Sequence, residues 1–201
     1  MKITFYYVRH GQTYHNQKGI MQGQSGSALT ENGFTQARRA RDELKNIPIT
    51  KAYVSPLLRA KQMAEVILEG RDIPTSYDAG LIETYFGSAE EKPYEDNDYK
   101  RRFNETDWKD LGGEDEEDVK NRIVSFMNKV IQESEDGDTI LLVGHGDYFL
   151  ILVHTYFGYT KYQQKEIANK NHTKRLPEGG IASFVYNDGE MELVHLMKER
   201  L

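Results

Sequence analysis

The 201-residue sequence predicts a three-layer α/β/α sandwich around a mostly parallel central sheet with an antiparallel edge strand. Two observations predict it. Short runs rich in β-branched and aromatic residues alternate along the chain with segments of helical period, and the last two of these runs follow each other with only a turn between them. Strands separated by helices run parallel and are covered on both faces, whereas strands joined by a few turn residues pair antiparallel.

The first strand is the run from Ile3 to Val8. Thr30 then caps a helix whose Phe34, Ala37, Ala40 and Leu44 fall on one stripe. A second strand covers 52–55, and Ser55 with Pro56 opens a helix carrying Ala60, Met63, Ala64 and Ile67, which Gly70 closes. A third helix spans about Glu116 to Ser134, with Val119, Ile123, Phe126 and Val130 three or four residues apart. The run 139–145 is the next strand. After it, 147–158 is apolar nearly all round, which predicts a buried helix ending at Gly158. Strands at 181–186 and 191–196, joined through Asn187, Asp188 and Gly189, form the edge hairpin.

Residues 84–115 break this rhythm, being polar, aromatic and charged without a strong period. Ligands of open α/β sheets bind beyond the carboxyl ends of the strands, so a cap-like insertion over such a site is the expectation, within one domain covering 1–201.

Composition narrows the function. A net charge of −6 argues against a nucleic-acid partner and requires any anion site to be locally basic. The chain has no cysteine, which removes disulfides, thiolate metal sites and cysteine nucleophiles. No stretch approaches the ~18 apolar residues of a membrane span. The opening residues read directly as a strand rather than a signal peptide. A cytoplasmic protein with no membrane partner is the expectation.

The chemistry gathers at strand ends. Arg9 and His10 follow the first strand, His145 follows the 139–144 run, and Arg59 stands in the first turn of the helix opened by Ser55-Pro56. An isolated histidine is ordinarily a packing or surface residue, and His15, His154, His172 and His195 are assigned so. Two histidines and two arginines delivered to one rim by three separate elements are a different matter.

Taken in order, Arg9-His10-Gly11-Gln12-Thr13 with Asn16, Gln22-Gly23, Leu29-Thr30-Glu31-Asn32-Gly33, Ser55-Pro56-Leu57-Leu58-Arg59-Ala60, Leu81-Ile82-Glu83 with Phe86-Gly87, Gly112-Gly113-Glu114 and Gly144-His145-Gly146 resemble the histidine phosphatase superfamily, which includes the cofactor-dependent phosphoglycerate mutases. The resemblance implies a phosphoglycerate mutase-like fold and a phosphohistidine formed on His10. Its ring would be oriented by a backbone carbonyl, since no buried carboxylate partner is evident. It implies that Arg9, Arg59, His145 and Asn16 hold the phosphoryl group, and that Glu83 protonates the leaving oxygen, with Glu90 and Glu91 as rivals for that role. Gln22 and Gly23 match the loop that touches substrate. Neither a metal nor a cofactor is called for, because fixed N–H donors meet the charge on the phosphoryl oxygens.

The chain departs from the family pattern at Gly26 and Ala28 and at Ala89-Glu90-Glu91. It is shorter than the mutases and lacks their Glu-Arg-His-Tyr-Gly-type stretch, which favours a phosphatase of small phosphorylated metabolites. A mutase and a non-catalytic phospho-ligand binding module are the alternatives. Arg101-Arg102 reads as a solvated helical face, or else as a grip on a second anionic group of the substrate. The acidic run from Glu114 to Asp118 reads as a helix N-terminus. Nothing in the sequence sets the physiological substrate or the oligomeric state.

Overall fold

The computed structural model describes residues 1–94, 102, 105, 107–171 and 175–195. Six strands form one sheet: β1 Lys2–Arg9, β2 Lys51–Val54, β3 Thr75–Tyr77, β4 Thr139–Gly144, β5 Ile181–Asn187 and β6 Glu190–His195, in the order β3-β2-β4-β1-β5-β6. The first four are mutually parallel, and β5 and β6 add antiparallel at one edge. The hairpin between them turns on Asp188 at φ 48° and Gly189 at φ 102°, the paired left-handed residues that match the twist of the flanking strands.

Period-two alternation along the central strands sorts their side chains onto two faces. Ile3, Phe5 and Tyr7 of β1, with Ile140 and Leu142 of β4, pack under α4 Glu116–Gln132 and α5 Gly146–Phe157. Val8, Leu141 and Val143 pack under α2 Glu31–Leu44 and α3 Leu58–Ile67. These are the three expected layers. Helix α5 is buried from Asp147 to Val153, as its all-round apolar sequence requires. No described helix is long and apolar enough to cross a membrane.

Two α-helices and one strand among the described residues escaped the sequence reading. Helix α1 Tyr14–Lys18 is five residues long, β3 is three exposed residues, and α6 Lys161–Lys170 buries only Lys161, Gln164 and Ala168, so none of them carries an apolar stripe. Helix α3 also begins later than expected: its cap position is Leu57, whose apolar side chain cannot cap, and the Ser55 hydroxyl lies 2.7 Å from the His145 ring while accepting from the Leu57 N–H at 3.4 Å.

The described part of 84–115 packs on the loop that follows α1. Phe86, Ala89 and Trp108 enclose Met21 in a small separate cluster, with Tyr94 and Leu111 against it. The Met21 and Tyr94 N–H groups donate to the Lys92 and Gly19 carbonyls at 2.8 Å each, tying the two segments together. Arg101, His172 and Leu196 lie outside the described residues.

Candidate active site

The register of two parallel strands assembles the centre of the site. Arg9 of β1 stands opposite Gly144 of β4, so the next residue on each strand, His10 and His145, emerge side by side beyond the carboxyl edge. Their ring centroids are 5.3 Å apart.

His10 is 3% exposed, and its Nδ1 lies 2.8 Å from its neighbour Gly11's carbonyl oxygen. A carbonyl only accepts, so Nδ1 carries the proton and the lone pair is on Nε2. Burial, then the charges of Arg59 and Arg9, hold the pKa of His10 well below the ordinary imidazole value, which keeps the ring neutral. The expected backbone partner is therefore present.

His145 is completely buried behind the cleft wall. Its Nε2 meets Ser55 Oγ, and its backbone N–H donates to the Tyr7 hydroxyl at 2.7 Å, which in turn donates to the His145 carbonyl at 2.9 Å. Burial, then Arg59 and His10, hold its pKa down as well. Its Nδ1 is buried with no protein partner.

The two arginines are held differently. Arg9 donates from Nη1 to the Leu176 carbonyl at 2.7 Å and from Nη2 to Glu178 Oε1 at 3.1 Å. Its shaft runs against Gly146, where a methyl group would lie 3.0 Å from Arg9 Nε and press on the guanidinium. Arg59, 1% exposed, donates from its two Nη atoms to the Gly23 and Ser25 carbonyls at 2.5 and 2.9 Å. Part of the guanidinium fork expected to meet phosphate thus holds the 22–25 loop. The Nε atoms of both arginines are buried without a protein partner. Burial pushes the pKa of Arg59 down to about 10.

That loop carries the remaining predicted residues. Asn16 closes a capping box with Thr13: its Oδ1 accepts from the Thr13 N–H at 3.1 Å, and the Thr13 hydroxyl stands 2.8 Å from Gln22 Oε1. With both amide oxygens engaged, the NH₂ groups of Asn16 and Gln22 are the donors left to the cleft that both residues line. Gly23 has φ 51°, and a methyl group there would lie 1.9 Å from Glu90 Oε1. Glu90 is occupied in ordering the loop, accepting from the Gln24 N–H at 2.8 Å and the Phe86 N–H at 3.2 Å.

Of the three carboxylates considered for the acid, Glu83 is the one that lines the cleft. It sits over the N-terminus of α5, where Oε1 accepts from Tyr148 N at 2.8 Å and Thr84 N at 3.0 Å and Oε2 accepts from Asp147 N at 3.1 Å. These bonds favour the carboxylate, but burial and then the Asp147 charge outweigh them and raise the pKa of Glu83.

Asp147 was not anticipated. It is 1% exposed, pairs with the buried ammonium of Lys161, and accepts from the Thr84 hydroxyl at 2.9 Å. Its place directly after Gly144-His145-Gly146 was the one available signal; Lys161, on a polar helix, offered none. Removing one partner of such a pair leaves a buried charge unmet, so Lys161→Met is expected to cost about 3–5 kcal/mol of stability, read in denaturant unfolding. Arg102, the described member of the arginine pair, makes a bidentate ion pair with Asp110, its Nη2 2.8 Å from Oδ2, and does not line the cleft. The cleft itself has a volume of about 350 Å³. Among the described residues no three His, Asp or Glu side chains gather as metal ligands.

A family model described as the histidine phosphatase superfamily (branch 1) matches residues 5–196. The chain belongs to the histidine phosphatase superfamily. Within it, the chain is 30% identical over 153 residues to the adenosylcobalamin/alpha-ribazole phosphatase of Salmonella typhimurium (strain LT2), covering 73% of this chain and 75% of that protein. It is 31% identical over 176 residues to the probable phosphoglycerate mutase GpmB of Salmonella paratyphi A, covering 84% and 81%. A crystal structure of phosphoglycerate mutase from Bacillus anthracis str. Sterne shares the fold, with a TM-score of 0.80 at 24% identity over 96% of this chain and 92% of that one. The phosphoglycerate mutase-like sandwich expected from the sequence is the fold of the histidine phosphatase described above.

Proposed function

We propose that this histidine phosphatase is a metal-independent phosphomonoester hydrolase that passes through a phosphohistidine on His10 and acts on a small phosphorylated metabolite. The observation that carries the reading is the state of His10: Nδ1 pinned to a carbonyl, Nε2 bearing the lone pair, and the ring kept neutral by burial beside two arginines. Nε2 attacks phosphorus in line, the P–O bond to the leaving group breaks, and the Glu83 proton passes to the departing oxygen. The Glu83 carboxylate then takes a proton from water, which attacks the phosphohistidine and releases inorganic phosphate, so that His10 and the acid return to their starting forms. The remaining N–H groups of Arg9 and Arg59, with the Asn16 amide, meet the charge on the equatorial oxygens, while His145, expected among them, lies behind the cleft wall.

The alpha-ribazole phosphatase relative supports a hydrolase. The GpmB relatives keep a mutase in play, in which the phosphohistidine returns its phosphoryl group to the substrate instead of to water. Phosphate release from a panel of phosphorylated metabolites in the presence of a chelator separates these readings. Chelator-resistant release is the expected result. Release that requires an added divalent metal overturns metal independence, and interconversion of phosphoglycerates without release selects the mutase.

A further inference from the structure

Gly112-Gly113-Glu114 takes no part in the phosphoryl transfer described above, and none of the three residues lines the cleft. A methyl group on Gly113 would lie 2.5 Å from the Tyr85 carbonyl oxygen, so glycine is what lets this segment lie against residue 85. Glu114 then pairs with Tyr85 twice. Its backbone N–H donates to the Tyr85 carbonyl at 2.8 Å, and its Oε2 accepts from the Tyr85 N–H at 2.7 Å. Glu114, expected to belong to a helix N-terminus, thus stands ahead of α4, whose cap is Asp115.

Arg122 of α4 completes the arrangement. Its Nη2 donates to the two Glu114 carboxylate oxygens at 2.9 and 2.8 Å, and its Nη1 donates to the Ile82 carbonyl at 2.7 Å. Ile82 precedes Glu83 and Tyr85 follows it, so the Arg122–Glu114 pair holds the backbone on both sides of the acid. The guanidinium carbon also stands 5.8 Å from the centre of the Tyr148 ring, and the Tyr148 N–H donates to Glu83 Oε1. The side chains of the pair are only 19% and 21% exposed, so solvent and salt screen their attraction weakly. One cation thus touches the segment that carries Glu83 and the residue that holds its carboxyl, without lining the cleft itself.

We propose that Arg122 and Glu114 are positioning residues for the general acid, fixing the 82–85 backbone so that the Glu83 carboxyl meets the leaving oxygen. The inference rests on the reading above that Glu83 is that acid. A proton donor displaced by about an ångström loses much of its effect, and the loss is felt where the leaving group needs the proton.

Steady-state kinetics with propyl phosphate and p-nitrophenyl phosphate test it, reading the ratio of the two kcat/KM values in the intact enzyme, Arg122→Met, Glu114→Gln, Glu83→Gln and the double variant Glu83→Gln/Arg122→Met. The propyl-to-nitrophenyl ratio is expected to fall by about ten- to a hundredfold in Arg122→Met and in the same direction in Glu114→Gln. In the double variant it matches Glu83→Gln alone, because positioning contributes nothing once the acid is gone. A merely structural role lowers both esters together and leaves the ratio where it was. Thermal melting checks that each variant is folded at the assay temperature, and the nearly isosteric Glu114→Gln carries the test where Arg122→Met does not fold. A ratio that falls in Glu83→Gln and in neither positioning variant overturns the inference while leaving the acid in place, and a further fall in the double variant overturns it too. A ratio unmoved by Glu83→Gln, or failure to hydrolyse either ester, overturns the reading of Glu83 and the inference with it.

Discussion

His10→Ala is expected to abolish phosphate release, with a loss on the order of a million-fold in kcat, as removal of a covalent nucleophile does elsewhere. The reason is specific to the geometry. No other described side chain in the cleft offers a neutral nitrogen with an available lone pair: the arginines are cationic, and His145 is wholly buried with Nε2 at Ser55. The substitution leaves the fold intact, because the side-chain hydrogen bond it removes runs only to the adjacent Gly11 carbonyl. Arg9 and Arg59 remain, so phosphate esters still bind, and the defect falls on kcat more than on KM. Rapid quenching of the intact enzyme with a labelled ester traps an acid-labile, alkali-stable phosphoryl group on His10. Label recovered on another residue, or turnover retained in the variant, would remove the phosphohistidine from the mechanism.

Glu83→Gln is the second large effect, a loss of about 10²–10⁴-fold in kcat/KM for an alkyl phosphate, the usual worth of a positioned general acid. With p-nitrophenyl phosphate the loss shrinks, because that leaving group departs without a proton. The pH profile supplies an independent readout. His10 works deprotonated, and its pKa lies well below the ordinary 6.5, so activity persists under mildly acidic conditions and falls only as pH drops through that depressed value. Glu83 works protonated in the first step, and its pKa is raised above 4.5, so kcat/KM declines as pH rises through that elevated value. The result is a bell displaced towards acid, whose alkaline limb disappears in Glu83→Gln. An alkaline limb that survives the substitution assigns the acid to another group.

The Lys161–Asp147 pair bears on the same limb. The backbone N–H groups of Asp147 and Tyr148 hold the Glu83 carboxyl, while the Asp147 charge raises its pKa. The N–H groups at the start of α5 therefore orient the acid, while burial and the Asp147 charge favour its protonated form.

Much of this was legible from residue order alone. Period-two and period-3.6 patterns report local backbone state, and they located β1, β4 and the main helices well enough to bring Arg9, His10, Arg59 and His145 to one rim. The short, polar or exposed elements α1, β3 and α6 went unread, because they bury too little apolar surface to leave a period. The resemblance named Glu83 rather than Glu90 or Glu91, but the physical difference among the three was out of reach. All three are glutamates within nine positions, and what separates them is that Glu83 meets the N-terminus of α5, Glu90 the Gln24 loop, and Glu91 a positive-φ turn. The chain's order thus set which chemical groups exist and near which strand ends they emerge. Packing between distant segments set their protonation states, through the burial of His10 and Glu83, the loop held by Arg59, and a lysine some 14 residues from its aspartate. Desolvation and charge proximity act through space, and no local pattern along a chain encodes them.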